Sequence, residues 1–279
     1  MSTAGDEFTR LADIVARLRA PDGCPWDREQ TIDTLKRYVL EETYEVLDAI
    51  DRHDHDALRE ELGDFLFEAV FVAQLEHEAG HFAIADSVRS IADKLVRRHP
   101  HVFARHEGAA ALDTADQVRA QWEEIKTEER DGSAKPKTLL SGIPAALPAL
   151  LRAYQIGARA ASVGFDWSRA DDVVAKIREE VDEIQEVVNA GDIDQDRIEE
   201  EVGDLLFAIA NLSRKLGVEP ETALRKANDK FTRRFGVMEA EIATSGRVMR
   251  DMTLDELEAE WQRTKHQLRH EDAKARRSQ

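Results

Sequence analysis

One pattern occurs twice in this chain of 279 residues, and it limits the possible folds more than any other feature. Glu41-Glu42-Thr43-Tyr44-Glu45 is followed by Glu61-Leu62-Gly63-Asp64-Phe65-Leu66-Phe67. Glu179-Glu180-Val181-Asp182-Glu183 is followed by Glu201-Val202-Gly203-Asp204-Leu205-Leu206-Phe207. Asp93-Lys94 with Arg97-Arg98 answers Asp229-Lys230 with Arg233-Arg234, and Trp122 with Lys126 answers Trp261 with Lys265. Glu42 and Glu180 are 138 positions apart, Asp64 and Asp204 are 140, Lys94 and Lys230 are 136, and Trp122 and Trp261 are 139. Polar and aromatic positions keep their order, and the spacing drifts only between segments. The chain therefore reads as a duplicated unit.

The unit is helical. Phe8, Leu11, Val15 and Leu18 follow the spacing of one helix face, and Pro21 to Gly23 ends that run. Further helices are expected over 31–50, 56–78, from Asp86 as an N-cap to the His99-Pro100 boundary, and from 113 or 114 to 129. In the second copy they are expected over 148–162, 168–190, 194–216, 219–243 and 253–270, with a frayed tail at 271–279. No sustained two-residue alternation argues for a sheet. Between the copies, Asp131 to Pro148 gathers Gly132, Pro136, Gly142, Pro144 and Pro148, which marks a linker. The expected organisation is all-α, with an N-terminal unit at 1–130, a linker at 131–151 and a C-terminal unit at 152–279.

Composition narrows the function. The formal net charge is −18, which argues against gripping nucleic acid or an anionic membrane. An anionic small substrate remains open if metal ions supply the positive charge. The apolar run Phe65–Leu75 is too short to span a bilayer and contains Glu68. One cysteine, Cys24, allows no internal disulfide, and the N-terminus does not read as a signal peptide. A reduced, cytoplasmic protein is expected.

Glu42 and Glu45 share one helix face, and Glu61 and Asp64 share one on the next helix. A short connection makes the two helices antiparallel neighbours, so four carboxylates converge. Unpaired, they would raise one another's pKa, and a hard cation such as Mg²⁺ removes that cost. Glu180, Glu183, Glu201 and Asp204 repeat the arrangement. Lys230 and Arg234 share a face, with Arg233 beside them, and would hold phosphate oxygens opposite such a metal. Lys94 and Arg98 are their counterparts. Gly63 and Gly203 lie inside helices, where glycine costs about 1 kcal/mol relative to alanine. That suggests close approach of another helix backbone. Leu62, Leu66 and Ala69 face away from Phe67 and Phe71, so the helix should be sandwiched, with a bundle or a second copy as the outer partner. His77 and His81 lack a third zinc ligand.

These residues resemble the metal motif of the all-α nucleoside triphosphate pyrophosphohydrolases, and the tandem arrangement is similar to the two-domain bacterial MazG proteins. The resemblance runs from Gly23-Cys24-Pro25-Trp26-Asp27 through Arg97 to Phe103 and Val163-Gly164-Phe165-Asp166-Trp167 to Trp261 and Lys265. It implies helices that form four-helix bundles on homodimerisation. It also implies Mg²⁺-dependent cleavage of nucleoside triphosphates, ATP included, to monophosphate and pyrophosphate, with Mn²⁺ as a substitute metal. Glu180, Glu183, Glu201 and Asp204 match the metal ligands. Lys176, Glu179, Arg197, Glu200 and Lys230 to Arg234 match nucleotide-contacting positions. Trp261 and Lys265 match a pair that closes over the nucleotide. The resemblance also implies that the C-terminal unit is the catalytically dominant one, and the sequence is consistent with this, since Tyr38 and Ala57 stand where that unit has Lys176 and Arg197. Lys36 and Arg37 lie near enough in sequence to substitute. The N-terminal set Glu42, Glu45, Glu61 and Asp64 is a second candidate metal site.

Three other readings compete. A non-catalytic helical binding or regulatory scaffold predicts no metal-dependent change in melting. A narrow dNTP hydrolase differs only in base selectivity. A ferritin-like di-iron bundle needs Glu-x-x-His on two helices. The one instance, Glu78 to His81, spans the glycine that ends a helix, so this last reading is rejected.

Overall fold

The computed structural model describes residues 2–104, 114–115, 117–118, 121–122, 125, 138–191 and 194–277, with side chains to 270. Its described residues form α-helices, one 3-10 turn and no strand. The chain divides into two compact units, Met1–Glu129 and Arg130–Gln279. Most of the helix expected over 113–129, and residues 131–137 of the expected linker, lie outside the described residues. No described helix is long and apolar enough to cross a membrane.

In the first unit, α1 (Ala4–Arg19) leads through the one-turn α2 (Pro25–Glu29) into α3 (Ile32–Arg52) and α4 (His55–Glu78), followed by α5 (Ile84–Arg98) and a single turn, α6 (Pro100–Phe103). The α3–α4 hairpin reverses over two residues. His53 takes the left-handed conformation, φ 55°, and the Asp54 carboxylate accepts the Ala57 N–H to cap α4. Helix α1 packs on α4, and so does α5. Val15, Leu35, Val70 and Phe71 are the buried centre, with Phe8, Leu11, Tyr38, Phe67 and Leu75 around it. Each such side chain, once buried, stabilises the fold by about 1.5–3 kcal/mol. Arg19 closes one end by donating to Glu78 at 2.7 Å while its guanidinium lies 5.6 Å from the Phe71 ring centre. Gly23 is obligatory, since a Cβ there would lie 2.2 Å from the Leu18 carbonyl oxygen.

The second unit repeats this plan with α7 (Ala149–Ala161), α8 (Ala170–Asn189), α9 (Gln195–Lys215), α10 (Pro220–Thr244), a 3-10 turn (Met249–Asp251) and α11 (Leu254–Arg277). Helices α8 and α9 form the hairpin, α7 packs on α9 and α10, and α11 packs on α10. Buried positions recur at the repeat spacing: Leu35 with Val173, Ala49 with Val187, Val70 with Ala210. Two recurrences change chemistry, for Phe71 gives way to Asn211 and Glu68 to Ala208.

Several sequence expectations need correction. Asp86 is not the N-cap of α5. Ala83 is, and Asp86 sits at the third position, where its carboxylate accepts the Ala83 N–H at 3.0 Å. The C-terminal helix does not fray after 270 but continues to Arg277, because Lys, Ala and Arg are good helix formers. Among the described residues, nothing lies within 4 Å of where a Cβ on Gly63 or Gly203 would stand, so neither marks a close helix approach within its unit. Leu62, Phe65, Leu66 and Ala69 are exposed, whereas Phe67 and Phe71 turn into the unit's own core.

Candidate functional site

The C-terminal hairpin brings the expected carboxylates together. Glu180 and Glu183 on α8 and Glu201 on α9 place carboxylate oxygens within 4.8 Å of one another. Glu180 is 2% exposed, and its Oε2 is buried with no hydrogen-bond partner. Lys176, one turn back on α8, pairs with Glu180 Oε1 at 2.8 Å and with Glu179 Oε1 at 2.7 Å. These bonds push the lysine pKa up, so it stays charged. Arg197 approaches Glu201 at 3.6 Å and Glu186 at 3.8 Å. Glu183 has a raised pKa, first through its hydrogen bond with Glu180, then through burial and the Glu201 charge. Asp204 stands outside the convergent set, exposed on the next turn of α9, and Glu200 is also exposed.

The expected phosphate-binding residues gather on the other side of the unit's helix order. Trp261 of α11 packs against Phe231 of α10, ring centres 5.1 Å apart, and Phe231 stacks on Phe235 at 5.9 Å. Lys265 is one turn beyond Trp261 on α11, and Lys230, Arg233 and Arg234 lie on α10 around Phe231. The Arg234 Nε is buried without a hydrogen-bond partner. Glu260, itself buried, anchors α11 by pairing with Arg247 at 2.6 Å and with Arg263. Among the described residues Lys230, Arg234 and Lys265 make no ion pair with the carboxylates.

The N-terminal hairpin makes the same set from Glu42, Glu45 and Glu61, again within 4.8 Å. Burial raises the Glu42 pKa, and the charges of Glu45, Asp64 and Glu61 add to it. Glu61 is raised by burial and by Glu45. Tyr38 and Ala57 occupy the positions of Lys176 and Arg197. Lys36 and Arg37 do not replace them, for Lys36 pairs with Asp33 at 2.6 Å and Arg37 donates to the Tyr38 hydroxyl at 2.6 Å while lying over its ring. Lys94 is half-buried on α5 and Arg98 ends that helix. Among the described residues no histidine joins either set, and His81 pairs with Glu76 at 2.6 Å.

Two features escaped the sequence reading. Glu68 is 6% exposed, and burial with the charges of Glu42 and Asp64 pushes its pKa to about 7. Its position four residues after Asp64, within an apolar run, was the available signal. Asp166 is gripped by Arg214 at 2.5 Å and Lys215 at 2.6 Å, which hold its carboxyl at about 2 and tie the loop before α8 to the end of α9. No helical periodicity reaches across that distance.

Each carboxylate triad fits a hard divalent cation: three oxygen donors converge, and Glu42 and Glu180 each keep one buried oxygen unpartnered. Comparison with known proteins agrees with this geometry. The MazG nucleotide pyrophosphohydrolase domain matches residues 30–103 and again 170–236, the stretches that contain the two hairpins. A nucleoside triphosphate pyrophosphohydrolase of Escherichia coli K12 is 50% identical over 94% of this chain and 98% of its own length. The nucleoside triphosphate pyrophosphohydrolase/pyrophosphatase MazG of Thermotoga maritima is 43% identical over 95% of this chain and 98% of its own. A nucleoside triphosphate pyrophosphohydrolase of Mycolicibacterium smegmatis is 39% identical over 56% of this chain and 47% of its own.

Proposed function

The chain belongs to the MazG nucleotide pyrophosphohydrolase family, and on that premise we propose that it hydrolyses nucleoside triphosphates to nucleoside monophosphate and pyrophosphate, with the C-terminal unit as the working site. The observation that carries this reading is the Glu180, Glu183 and Glu201 set, whose innermost member keeps an unpartnered oxygen beside a lysine. Glu180, Glu183 and Glu201, with Asp204 from the next turn, would hold Mg²⁺, or Mn²⁺ in its place. When bound, the metal supplies neutralisation of the triphosphate and polarisation of the attacking water.

The chain's own groups do the rest. Water attacks the α-phosphorus, the bond to the oxygen bridging α and β breaks, and pyrophosphate leaves with that oxygen. The water's proton passes to a carboxylate of the set that the metal does not engage. Lys176 pairs with Glu180 and Arg197 orients Glu201, while Glu179 and Glu200 flank them on the nucleotide side. Lys230, Arg233 and Arg234 hold the leaving phosphates by charge-assisted hydrogen bonds. Trp261 and Lys265 cover the nucleotide. A homodimer in the cytoplasm, with the exposed Leu62 and Leu66 faces covered by a second copy, completes the reading. No membrane or nucleic-acid partner is required.

The test is product analysis. The protein is incubated with Mg²⁺ and each NTP and dNTP, and the products are separated. Monophosphate plus pyrophosphate is expected, lost in Glu180→Ala and kept in Glu42→Ala. Diphosphate plus phosphate, or no turnover by the wild type, would sink the reading.

A further inference from the structure

The N-terminal unit holds a chemical group that its copy lacks. Glu68 on α4 is almost fully buried, and its Oε2 is sealed from water with no hydrogen-bond partner. At the matching place in the C-terminal unit stands Ala208. Glu68 lines a hollow of about 370 Å³ whose other walls include Val39 of α3, Phe65, Ala69 and Val72 of α4, and Phe82 just before α5, with Ser87 of α5 as the second polar group. This is the size and make-up of a small-molecule pocket: apolar walls and very few polar groups. Burying a carboxyl with nothing to meet it costs free energy, so this one is matched to a ligand group and not to the fold.

Position says what the ligand carries. Phe65, Glu68, Ala69 and Val72 share one face of α4, and Glu61 and Asp64 lie on the same stripe one to two turns back. Glu61 and Glu68 are about 10 Å apart along the helix axis. The charges of Glu42 and Asp64 are close enough to act on Glu68. The hollow therefore adjoins the Glu42, Glu45 and Glu61 carboxylates, and a flat apolar group in it can stay attached to phosphates at that cluster.

We propose that this hollow holds the base of a nucleotide bound by the N-terminal unit, and that Glu68 selects bases that carry an exocyclic amino group. The proposal rests on the reading of each unit as nucleotide-binding. A carboxyl oxygen accepts an N–H from the amino group of cytosine, adenine or guanine. Uracil and thymine turn a carbonyl oxygen to the same place, which the ionised carboxylate repels, so the contrast is read at about pH 8.5, above the value of about 7 to which burial raises Glu68. Cytosine and uracil differ there by little else, which makes them the discriminating pair.

The experiment is calorimetric titration of the full chain in Mg²⁺ with the α,β-methylene analogues of CTP and UTP, which bind without turnover. The wild type is expected to bind two CTP analogues per chain, one of them about tenfold more weakly when UTP replaces CTP. Glu68→Ala should remove that tenfold difference and leave ATP hydrolysis by the C-terminal unit unchanged. Glu68→Gln keeps the volume and can turn its amide to either base, so it should also bring the ratio to about one, and it serves if the alanine variant is unstable. A CTP to UTP ratio that both variants leave as in the wild type overturns the role of Glu68. One analogue per chain in the wild type overturns the pocket itself. Release of monophosphate and pyrophosphate alongside either result leaves the hydrolase reading standing. Two-site binding with no hydrolysis of any nucleotide would sink that reading and spare this one.

Discussion

At the scale of single residues, the two acidic clusters differ in their cations, Lys176 and Arg197 in one and neither in the other, and the lysine reaches the innermost carboxylate. Lys176 gives the buried Glu180 a cation, whereas Tyr38 gives Glu42 none. Lys176→Met should orphan the Glu180 carboxylate and lower stability by about 1–3 kcal/mol, less than for a fully buried pair because the lysine is partly exposed. Mg²⁺ should then recover more melting temperature than it adds to the wild type. Scanning fluorimetry with and without Mg²⁺ checks this, and an equal Mg²⁺ shift in both proteins would refute it. Asp166 is a second case. Its carboxyl is held at about 2 by Arg214 and then Lys215, below its ordinary 3.8, so the ion pair stabilises above pH 4 and is lost as pH falls toward 2. Asp166→Asn should lower stability by about 1–2 kcal/mol at pH 7 once solvent screening is allowed for. The gap to the wild type should close as the pH drops from 4 to 2, as read by denaturant titration across that range. The convergence of Glu42 with Glu45 and Glu61, and of Glu180 with Glu183 and Glu201, was legible in the sequence because spacing along one helix fixes a face, while Asp64 and Asp204 fall outside these sets. Glu68 was not, because spacing cannot say whether a lone acid in an apolar run turns to water or inward. Asp166 was not either, since its partners lie 48 and 49 positions away.

At the scale of elements, the hairpins and the helix order followed from periodicity and punctuation, whereas the packing of α1 and α7 did not. One-turn helices such as Pro25–Glu29 were missed, being too short to show a period. The start of α5 was misplaced because an aspartate serves equally well at the N-cap or three residues in, and only the backbone decides. The helical glycines separate into two kinds. At Gly157 a Cβ would lie 2.2 Å from Asn211 Oδ1, and Asn211 is buried and donates to the Phe207 carbonyl. Gly157→Ala should therefore destabilise by about 1–3 kcal/mol in chemical denaturation. Gly63 and Gly203 have open space, so alanine there should favour the isolated helix by about 0.5–1 kcal/mol. With a second copy packed on that face, the same methyl should shift the chain toward monomer. Light scattering over a concentration series reads the second effect, and an unchanged dimer would put the contact elsewhere.

At the scale of the whole molecule, duplication leaves two carboxylate sets in two separate units. Cation binding in one should therefore add to binding in the other. The Mg²⁺-induced rise in melting temperature should fall partly in Glu42→Ala, partly in Glu180→Ala and wholly in the double variant. Loss of the entire rise in one single variant would mean that one set alone binds. Both the repeat and the fold class were plain in the sequence, because two copies make each pattern its own control. What set the copies apart was harder to see, since exchanges such as Glu68 for Ala208 or Phe71 for Asn211 sit at interior positions whose surroundings only packing reveals. The two-residue reversal at His53 and Asp54 has a further consequence. The first hairpin closes a very short loop, so its helices can pair quickly and locally. Two look-alike hairpins on one polypeptide could otherwise trade partners and trap the chain. As the first copy emerges from the ribosome well before the second is made, it can complete its own pairing while no rival exists. The order of synthesis then proofreads a fold that the duplicated sequence leaves ambiguous.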